Sequence, residues 1–350
     1  MAAQTTGNPI NTDVMDSSGP VNVAILGAGR IAHSMSSTLR AMMDDPRYSN
    51  LVSLYAVASR DGDRAREFAD RYSIPVSYGS YGELLADPHV DLVYIATPHS
   101  FHAEQAIMCM KAGKSVLVEK AFTVNADQAR DVIAASRDTG MTCVEAIWTR
   151  FMPSRAIIDG IVESGAIGRV QSIEANLGYP TTSKPRLTDP GLAGGALLDV
   201  GVYPLNFIDM ILGGCPVARI NSSMSAYQTG VDAQNSITLW YEDGTMAVAT
   251  SSMTSTTDRM GAIRGTDGYI LCGNVNNIES IDVFDGSHQR VRSYDIPPQL
   301  TGYEYEVAAT VASMRAGKVE CPQMPHADTL RMMELMDDIR GQWGLRFPCE

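Results

Sequence analysis

The sequence predicts an α/β unit with a doubly wound parallel sheet, followed by an α+β unit built on an open, mostly antiparallel sheet. Three observations carry this. Short apolar runs alternate with amphipathic helical segments from residue 21 to about residue 146, and strands alternating with helices pair in parallel with helices on both faces. The first apolar run ends in a glycine-rich turn that opens a helix. Past residue 147 the rhythm becomes strand after strand separated by turn signals, the pattern of an antiparallel sheet. At 350 residues the chain is longer than one core usually covers, so two domains are expected, 21–146 and 147–350. Residues 1–20 follow neither pattern and are expected to form a disordered leader.

The elements follow in order. The first apolar run is 21–26, and the helical segment 31–43 comes after it. Runs at 51–58, 90–96, 115–118 and 142–146 then alternate with helical segments 61–72, 101–112 and 126–139. Gly113 stands past one of these helices as a C-cap, and Asn125 before another as an N-cap. In the second half a helix over 153–164 leads to a strand over 169–176. A polar loop rich in Pro and Thr, 179–190, precedes an apolar helix that includes GALLDVGVYPLN, residues 195–206. Strands fill 217–294, with turns at 242–245 (EDGT) and 266–268 (TDG). Helices over 303–316 and 326–343 close the chain, the last a candidate to pack back on the first domain.

Composition narrows the function. A net charge of −13 argues against non-specific binding to nucleic acid or to an anionic membrane. The six cysteines are scattered without a C-x-x-C and read as reduced thiols of a cytoplasmic protein. The start of the chain lacks the basic and apolar regions of a signal peptide. No apolar run reaches the length expected of a membrane span. The six histidines show no H-E-x-x-H or comparable spacing, so no metal is expected.

Gly27-Ala28-Gly29-Arg30-Ile31-Ala32 is G-x-G-x-x-A between a strand and a helix, the dinucleotide fingerprint of a Rossmann unit. Gly27 makes the tight turn and Gly29 lets the backbone approach a pyrophosphate, while Arg30 and Ile31 open the helix whose N-terminus faces it. The second strand ends in Ser59-Arg60. A hydroxyl and a guanidinium suit a 2′-phosphate, since Arg pairs with phosphate through two charge-assisted bonds. Arg64, one helical turn on, is placed to help. In the competing reading Arg60 is solvated and Asp61 takes the ribose. NADP is favoured over NAD.

The run 115–118 delivers Glu119-Lys120 at the C-terminal end of its strand, where open α/β sheets bind ligands. A lysine there donates to a substrate oxygen, or else simply caps a strand in solvent. Thr97-Pro98-His99-Ser100-Phe101-His102 follows another strand and is expected at the same mouth. His99 and His102 either touch the ligands or bond to backbone. Trp148 and Arg150 stand at the domain junction, either as a substrate wall or as interdomain packing. Asp199 and Tyr203, four residues apart, share one face of a helix. Such a pair is a structural bond or a proton-handling site. The glycine loop and the Glu-Lys strand end favour the second, because removing a hydride from an alcohol carbon requires loss of the hydroxyl proton. A neighbouring Lys120 ammonium is expected to lower the Tyr203 pKa.

With AILGAGRIA, AGKSVLVEK (112–120) and GGALLDVGVYPLN in view, the chain resembles the Gfo/Idh/MocA family of oxidoreductases. The likeness covers about residues 20–350. EAIWTRFMP (145–153), R-L-x-D-P (186–190) and the ending MDDIRGQWGLRFP (336–348) bring it closest to the dimeric dihydrodiol dehydrogenase and D-xylose dehydrogenase branch. The resemblance implies NADP-dependent hydride transfer involving a secondary alcohol of a sugar, polyol or cyclic diol. It implies Lys120 on the reacting oxygen, Tyr203 as proton donor or acceptor with Asp199 beside it, Trp148 in the substrate pocket, and a homodimer formed through the second sheet. A cofactor-sensing regulator on the same fold is the alternative, and the intact Lys120, Asp199 and Tyr203 argue against it. Three positions depart from the family's pattern. Ala121 stands where a proline is usual, and Asn206 where some relatives carry His, which leaves acid–base work to Tyr203 and Lys120. Leu177 replaces an aromatic expected in the dihydrodiol branch, which favours sugars over aromatic diols.

Overall fold

The computed structural model describes residues 19–350, so the expected leader lies outside the described residues up to residue 18. The first strand, β1 (Val21–Leu26), runs into α1 (Arg30–Asp44), then β2 (Val52–Ala58) and α2 (Gly62–Tyr72). Asp61 caps α2 by accepting from the backbone N–H groups of Asp63 and Arg64 at 3.0 and 3.2 Å. Next come β3 (Val76–Tyr78) and α3 (Tyr81–Ala86), a pair the sequence reading lacks. β3 is a three-residue edge strand with half-buried side chains, and α3 is six residues long, so neither shows an apolar run or a helical period. β4 (Leu92–Ile95), α4 (His102–Lys111), β5 (Ser115–Glu119), α5 (Ala126–Thr139) and β6 (Cys143–Ala146) complete the unit. Asn125 caps α5 through a bond from the Gln128 N–H at 2.9 Å.

These strands form one parallel sheet in the order β3-β2-β1-β4-β5-β6. The order reverses between β1 and β4. That reversal splays the following loops apart and opens a crevice at the strand C-terminal ends. The loop after β1 carries the glycines, and the loop after β4 carries Thr97 and Pro98.

The second half begins with α6 (Pro153–Glu163), β7 (Val170–Gly178) and the short α7 (Pro185–Thr188), which lies inside the stretch expected to be loop. A wide, π-type turn (Leu197–Gly201) then feeds α8 (Val202–Leu212). The regular helix expected over 195–206 is therefore interrupted. Strands β8 (Val217–Ala226), β9 (Asp232–Tyr241), β10 (Met246–Ser252), β11 (Gly261–Gly265), β12 (Gly268–Gly273), β13 (Ser280–Asp285) and β14 (Arg290–Tyr294) follow, with α9 (Glu304–Arg315) and α10 (His326–Trp343) last. The sheet order is β14-β13-β12-β11-β7-β10-β9-β8, antiparallel except where β10 runs parallel to β7. α8 packs on β7 and β10, while α10 touches both β8 and α5. Asp337 of α10 accepts from the Ala126 N–H at 2.8 Å, which ties the chain end to the parallel-sheet unit.

One correction concerns apolar runs. Pro190–Leu212 is long and apolar enough to cross a membrane, contrary to the reading of the sequence. Its most apolar window is 83% buried inside the protein, so its apolar surface is already covered by the sheet beneath it.

Candidate active site

A cavity of about 620 Å³ opens at the C-terminal ends of β1, β2, β4 and β5. The glycine loop forms its floor. Gly27 has φ +100°, and a Cβ there would stand 2.9 Å from the Thr97 side chain, so only glycine fits. Gly29 differs: a Cβ would meet Ala96 O at an ordinary 3.5 Å. Protein packing does not demand glycine at 29, and the bare backbone leaves the cavity wall open. α1 begins here with no side-chain cap, so its first N–H groups and its positive end face the cavity. An anion such as a pyrophosphate fits this cradle.

Ser59 and Arg60 line the cavity where β2 ends. The Arg60 guanidinium lies 5.6 Å from the centre of the Phe101 ring. No carboxylate pairs with it among the described residues. Asp61 caps α2 through Oδ1 and is not among the residues that line the cavity. Arg64 also lines the cavity, but its guanidinium donates to the Ala28 carbonyl at 2.6 and 3.1 Å. It braces the glycine loop from the side instead of standing free for a phosphate.

At the other end lie Lys120, Asp199 and Tyr203. The Lys120 ammonium donates to the Asp199 carbonyl oxygen at 2.6 Å and stands 3.4 Å from its carboxylate. It also sits 4.8 Å from the centre of the Tyr203 ring. The wide turn explains why that carbonyl is available. At its five-residue spacing the partner of Asp199 O would be residue 204, a proline with no N–H to give. Arg186 donates to the Asp199 carboxylate at 3.0 Å from the other side. Burial raises the Asp199 pKa, but the charges of Lys120 and then Arg186 outweigh it and hold the carboxyl well below its usual range. The peptide between Lys120 and Ala121 is cis.

Tyr203 corrects an expectation. Burial, then the nearby Tyr303 and Glu119, push its hydroxyl well above 10. The Lys120 ammonium faces the ring, 4.8 Å from its centre, and burial outweighs whatever it offers the phenolate. Tyr203 therefore keeps its proton. Glu119 behind it is buried and accepts from the Tyr94 hydroxyl and from the Lys120 N–H at 3.2 Å. Burial raises its pKa against the opposing pull of Lys120.

Thr97, Pro98, His99, Glu119 and Trp148 all line the cavity. His99 bonds to the Ala193 carbonyl through Nδ1 at 3.0 Å, and burial lowers its pKa to about 3. It is a neutral imidazole with Nδ1 as donor. His102 does not reach the cavity: its two ring nitrogens hold the carbonyls of Ala121 and Thr97 at 2.9 and 2.8 Å. Arg150 does not reach it either. Its guanidinium is buried against Asn206 (2.7 Å), Asp328 (3.0 Å) and Asp209 (2.5 Å). Its partners all belong to the second half of the chain, so Arg150 is neither a substrate wall nor an interdomain tie but braces α8 and α10 within that unit.

The sequence reading left out Tyr303, Asn276, Lys184 and Arg186, all on the cavity wall. Tyr303 stacks on Trp148 with ring centres 4.3 Å apart, and the Trp148 indole N–H reaches Asn276 Oδ1 at 3.3 Å. Gly302, at φ +97°, makes the stack possible, since a Cβ there would lie 2.7 Å from the Trp148 ring. Only Arg186 had a local signal, the R-L-x-D-P stretch. Tyr303 and Asn276 arrive from distant segments that carry no motif.

Two family models match the chain. An oxidoreductase family with an NAD-binding Rossmann fold covers residues 21–146, and the GFO/IDH/MocA C-terminal domain covers 157–271. The chain is 34% identical to trans-1,2-dihydrobenzene-1,2-diol dehydrogenase of Sus scrofa over 330 residues, 93% of this chain and 97% of that protein. It superposes on a 3-ketoreductase from Actinomadura kijaniata, solved with NADP and TDP-benzene, with a TM-score of 0.82, 25% identity and coverage of 92% and 97%. A levoglucosan dehydrogenase solved with NADH and L-sorbose shares the fold at a TM-score of 0.83, 20% identity and coverage of 93% and 97%. With both family models matched and a third of its residues shared along nearly its whole length, the chain belongs to the Gfo/Idh/MocA family of oxidoreductases.

Proposed function

We propose that the protein is an NADP-dependent dehydrogenase or reductase acting on a secondary alcohol or carbonyl of a sugar, polyol or cyclic diol. The observation that carries this is the Lys120 ammonium, fixed by Asp199 and lying 4.8 Å from the Tyr203 ring, in the same cavity as the glycine loop. Gly27, Gly29, Arg30 and Ile31 would hold the pyrophosphate, with Ser59 and Arg60 on the 2′-phosphate and Thr97 and Pro98 on the far wall. NADP in the Actinomadura kijaniata ketoreductase supports that choice of cofactor. When bound, the nicotinamide supplies or accepts the hydride.

The chain's own residues handle the oxygen and its proton. Lys120 donates to the reacting oxygen and stabilises the negative charge that grows there during reduction. Tyr203 gives that oxygen its proton in reduction. Asp199 positions Lys120, and Arg186 positions Asp199. A tyrosine whose pKa is raised by burial holds a proton at every physiological pH, which suits the reducing direction. Trp148, stacked on Tyr303, forms an aromatic wall for the non-reacting part of the substrate.

Residues 21–146 serve as the cofactor domain and 147–350 as the substrate and dimerisation domain in this reading. The outer face of the second sheet, where Gln234 and Ser236 alternate with buried neighbours along β9, is the surface for a second copy. A cytoplasmic location is supported by six cysteines that are all free thiols.

Tyr203→Phe tests the chemistry. It should lower kcat by at least about a hundredfold, the scale of general acid catalysis, while NADPH affinity by fluorescence titration stays near wild type. Equal turnover in the variant would remove Tyr203 from the mechanism.

A further inference from the structure

Six cationic side chains line the cavity, Arg30, Arg60, Arg64, Lys120, Lys184 and Arg186, against the two carboxylates of Glu119 and Asp199. In a chain of net charge −13 this local surplus of positive charge is unexpected. Most of it is already committed. Arg64 is bonded to the Ala28 carbonyl. Lys120 and Arg186 share Asp199. Glu119 is taken by Tyr94 and the Lys120 N–H. In the proposed complex Arg60 meets the 2′-phosphate, and Arg30, the first residue of α1, stands beside the glycine cradle that would hold the pyrophosphate.

Lys184 is left over. It is half-buried, on the segment that leads into α7, and its side chain makes no hydrogen bond or ion pair among the described residues. The nearest acid on its own segment, Asp189, is occupied in accepting from the Gly191 N–H at 2.8 Å. Burial lowers the Lys184 pKa, and the neighbouring Arg30 charge lowers it further, with Arg186 and Lys120 adding to the repulsion and Asp199 alone opposing it. A lysine held in the company of three cations costs free energy unless an anion arrives to meet it.

We propose that Lys184, which lines the same cavity as Lys120, Arg186 and Asp199, sets specificity there, and that the substrate is an anionic sugar or polyol bearing a carboxylate or a phosphate group apart from the reacting alcohol. This rests on the oxidoreductase reading and narrows it. An acidic protein with a cationic cleft also focuses its field there and draws in anionic ligands. The interaction weakens as salt screens it.

The test uses the protein loaded with NADP or NADPH and matched substrate sets: glucose, glucuronate and glucose 6-phosphate, then glucitol, gluconate and 6-phosphogluconate. In wild type an anionic member should exceed its neutral partner in kcat/KM by about tenfold or more, the scale of one charge-assisted hydrogen bond in a half-buried site. Whether the carboxylates or the phosphates lead identifies the group. Lys184→Met should collapse that ratio, chiefly through KM, and Lys184→Arg should keep it. Neutral substrates leading in both sets, or an unchanged ratio in Lys184→Met, would overturn the assignment. So would a Lys184→Met variant that loses NADP affinity alone. Calorimetric titration of the NADP-loaded protein with glucuronate and with glucose separates the two readings. Anion binding that depends on Lys184 without turnover would uphold this assignment and remove the oxidoreductase one. Turnover confined to neutral sugars would do the reverse, and neither binding nor turnover would remove both.

Discussion

Arg60 and Asp61 are adjacent in sequence yet serve different structures. Asp61 spends its carboxylate on the N-terminus of α2, while Arg60 turns into the cavity with an aromatic ring beneath its guanidinium. Arg60→Ala should therefore weaken NADP binding by about tenfold or more while changing NAD binding little, since only the 2′-phosphate offers Arg60 a paired contact. Equal weakening of both cofactors in a fluorescence titration would move the 2′-phosphate elsewhere. Glu145 gives a second prediction at this scale. Burial lifts its carboxyl from 4.5 to about 7, and one of its oxygens has no partner. The folded protein keeps a proton that the unfolded chain releases across that window, so this group's contribution to stability falls as pH rises from 4.5 towards 7. The effect is at most about 3 kcal/mol. Glu145→Gln should flatten the dependence of Tm on pH in that range, and parallel curves for variant and wild type would contradict it.

The element that matters most is α8 with its wide turn. The pair at 199 and 203 was visible in the sequence as an i, i+4 spacing, but the π-type turn over Leu197–Gly201 was not. Only the lysine arriving from β5 shows why an open carbonyl at Asp199 is useful. α8 is held from below by Arg150, which reaches Asn206 and Asp209 on α8 and Asp328 on α10. Asn206, where some relatives carry His, here holds Arg150 and the Val202 carbonyl at 2.9 Å. Arg150→Met would remove a buried guanidinium from the half-buried carboxylates of Asp209 and Asp328, leaving each with Arg331 at 2.8 Å. A destabilisation of about 3 kcal/mol is expected by urea denaturation. A stability within error of wild type would show that Arg331 alone suffices.

At the scale of the whole molecule, the strand–helix rhythm, the glycine loop and the shift to antiparallel strands were legible because each is a local, periodic signal. The edge pair β3 and α3 was not, being too short to show a period. The cavity was legible only in part. Residues at strand ends, such as Gly27, Thr97 and Lys120, could be placed from the fold, since open sheets bind ligands there. Lys184, Asn276 and Tyr303 come from a loop, a strand connection and the approach to α9. Their meeting is a product of tertiary packing that no spacing in the chain reports. Tyr203 was found, yet its proton affinity was misjudged, because the burial that raises its pKa is a property of the folded cavity that sequence spacing does not report.

The most direct test of the central claim is reduced-nicotinamide absorbance with purified protein, NADP or NAD, and a panel of aldoses, polyols, cyclic diols and their acidic counterparts. Turnover on at least one member, faster with NADP than with NAD, is the predicted result. No turnover with either cofactor across the panel, while NADPH still binds tightly, would contradict it.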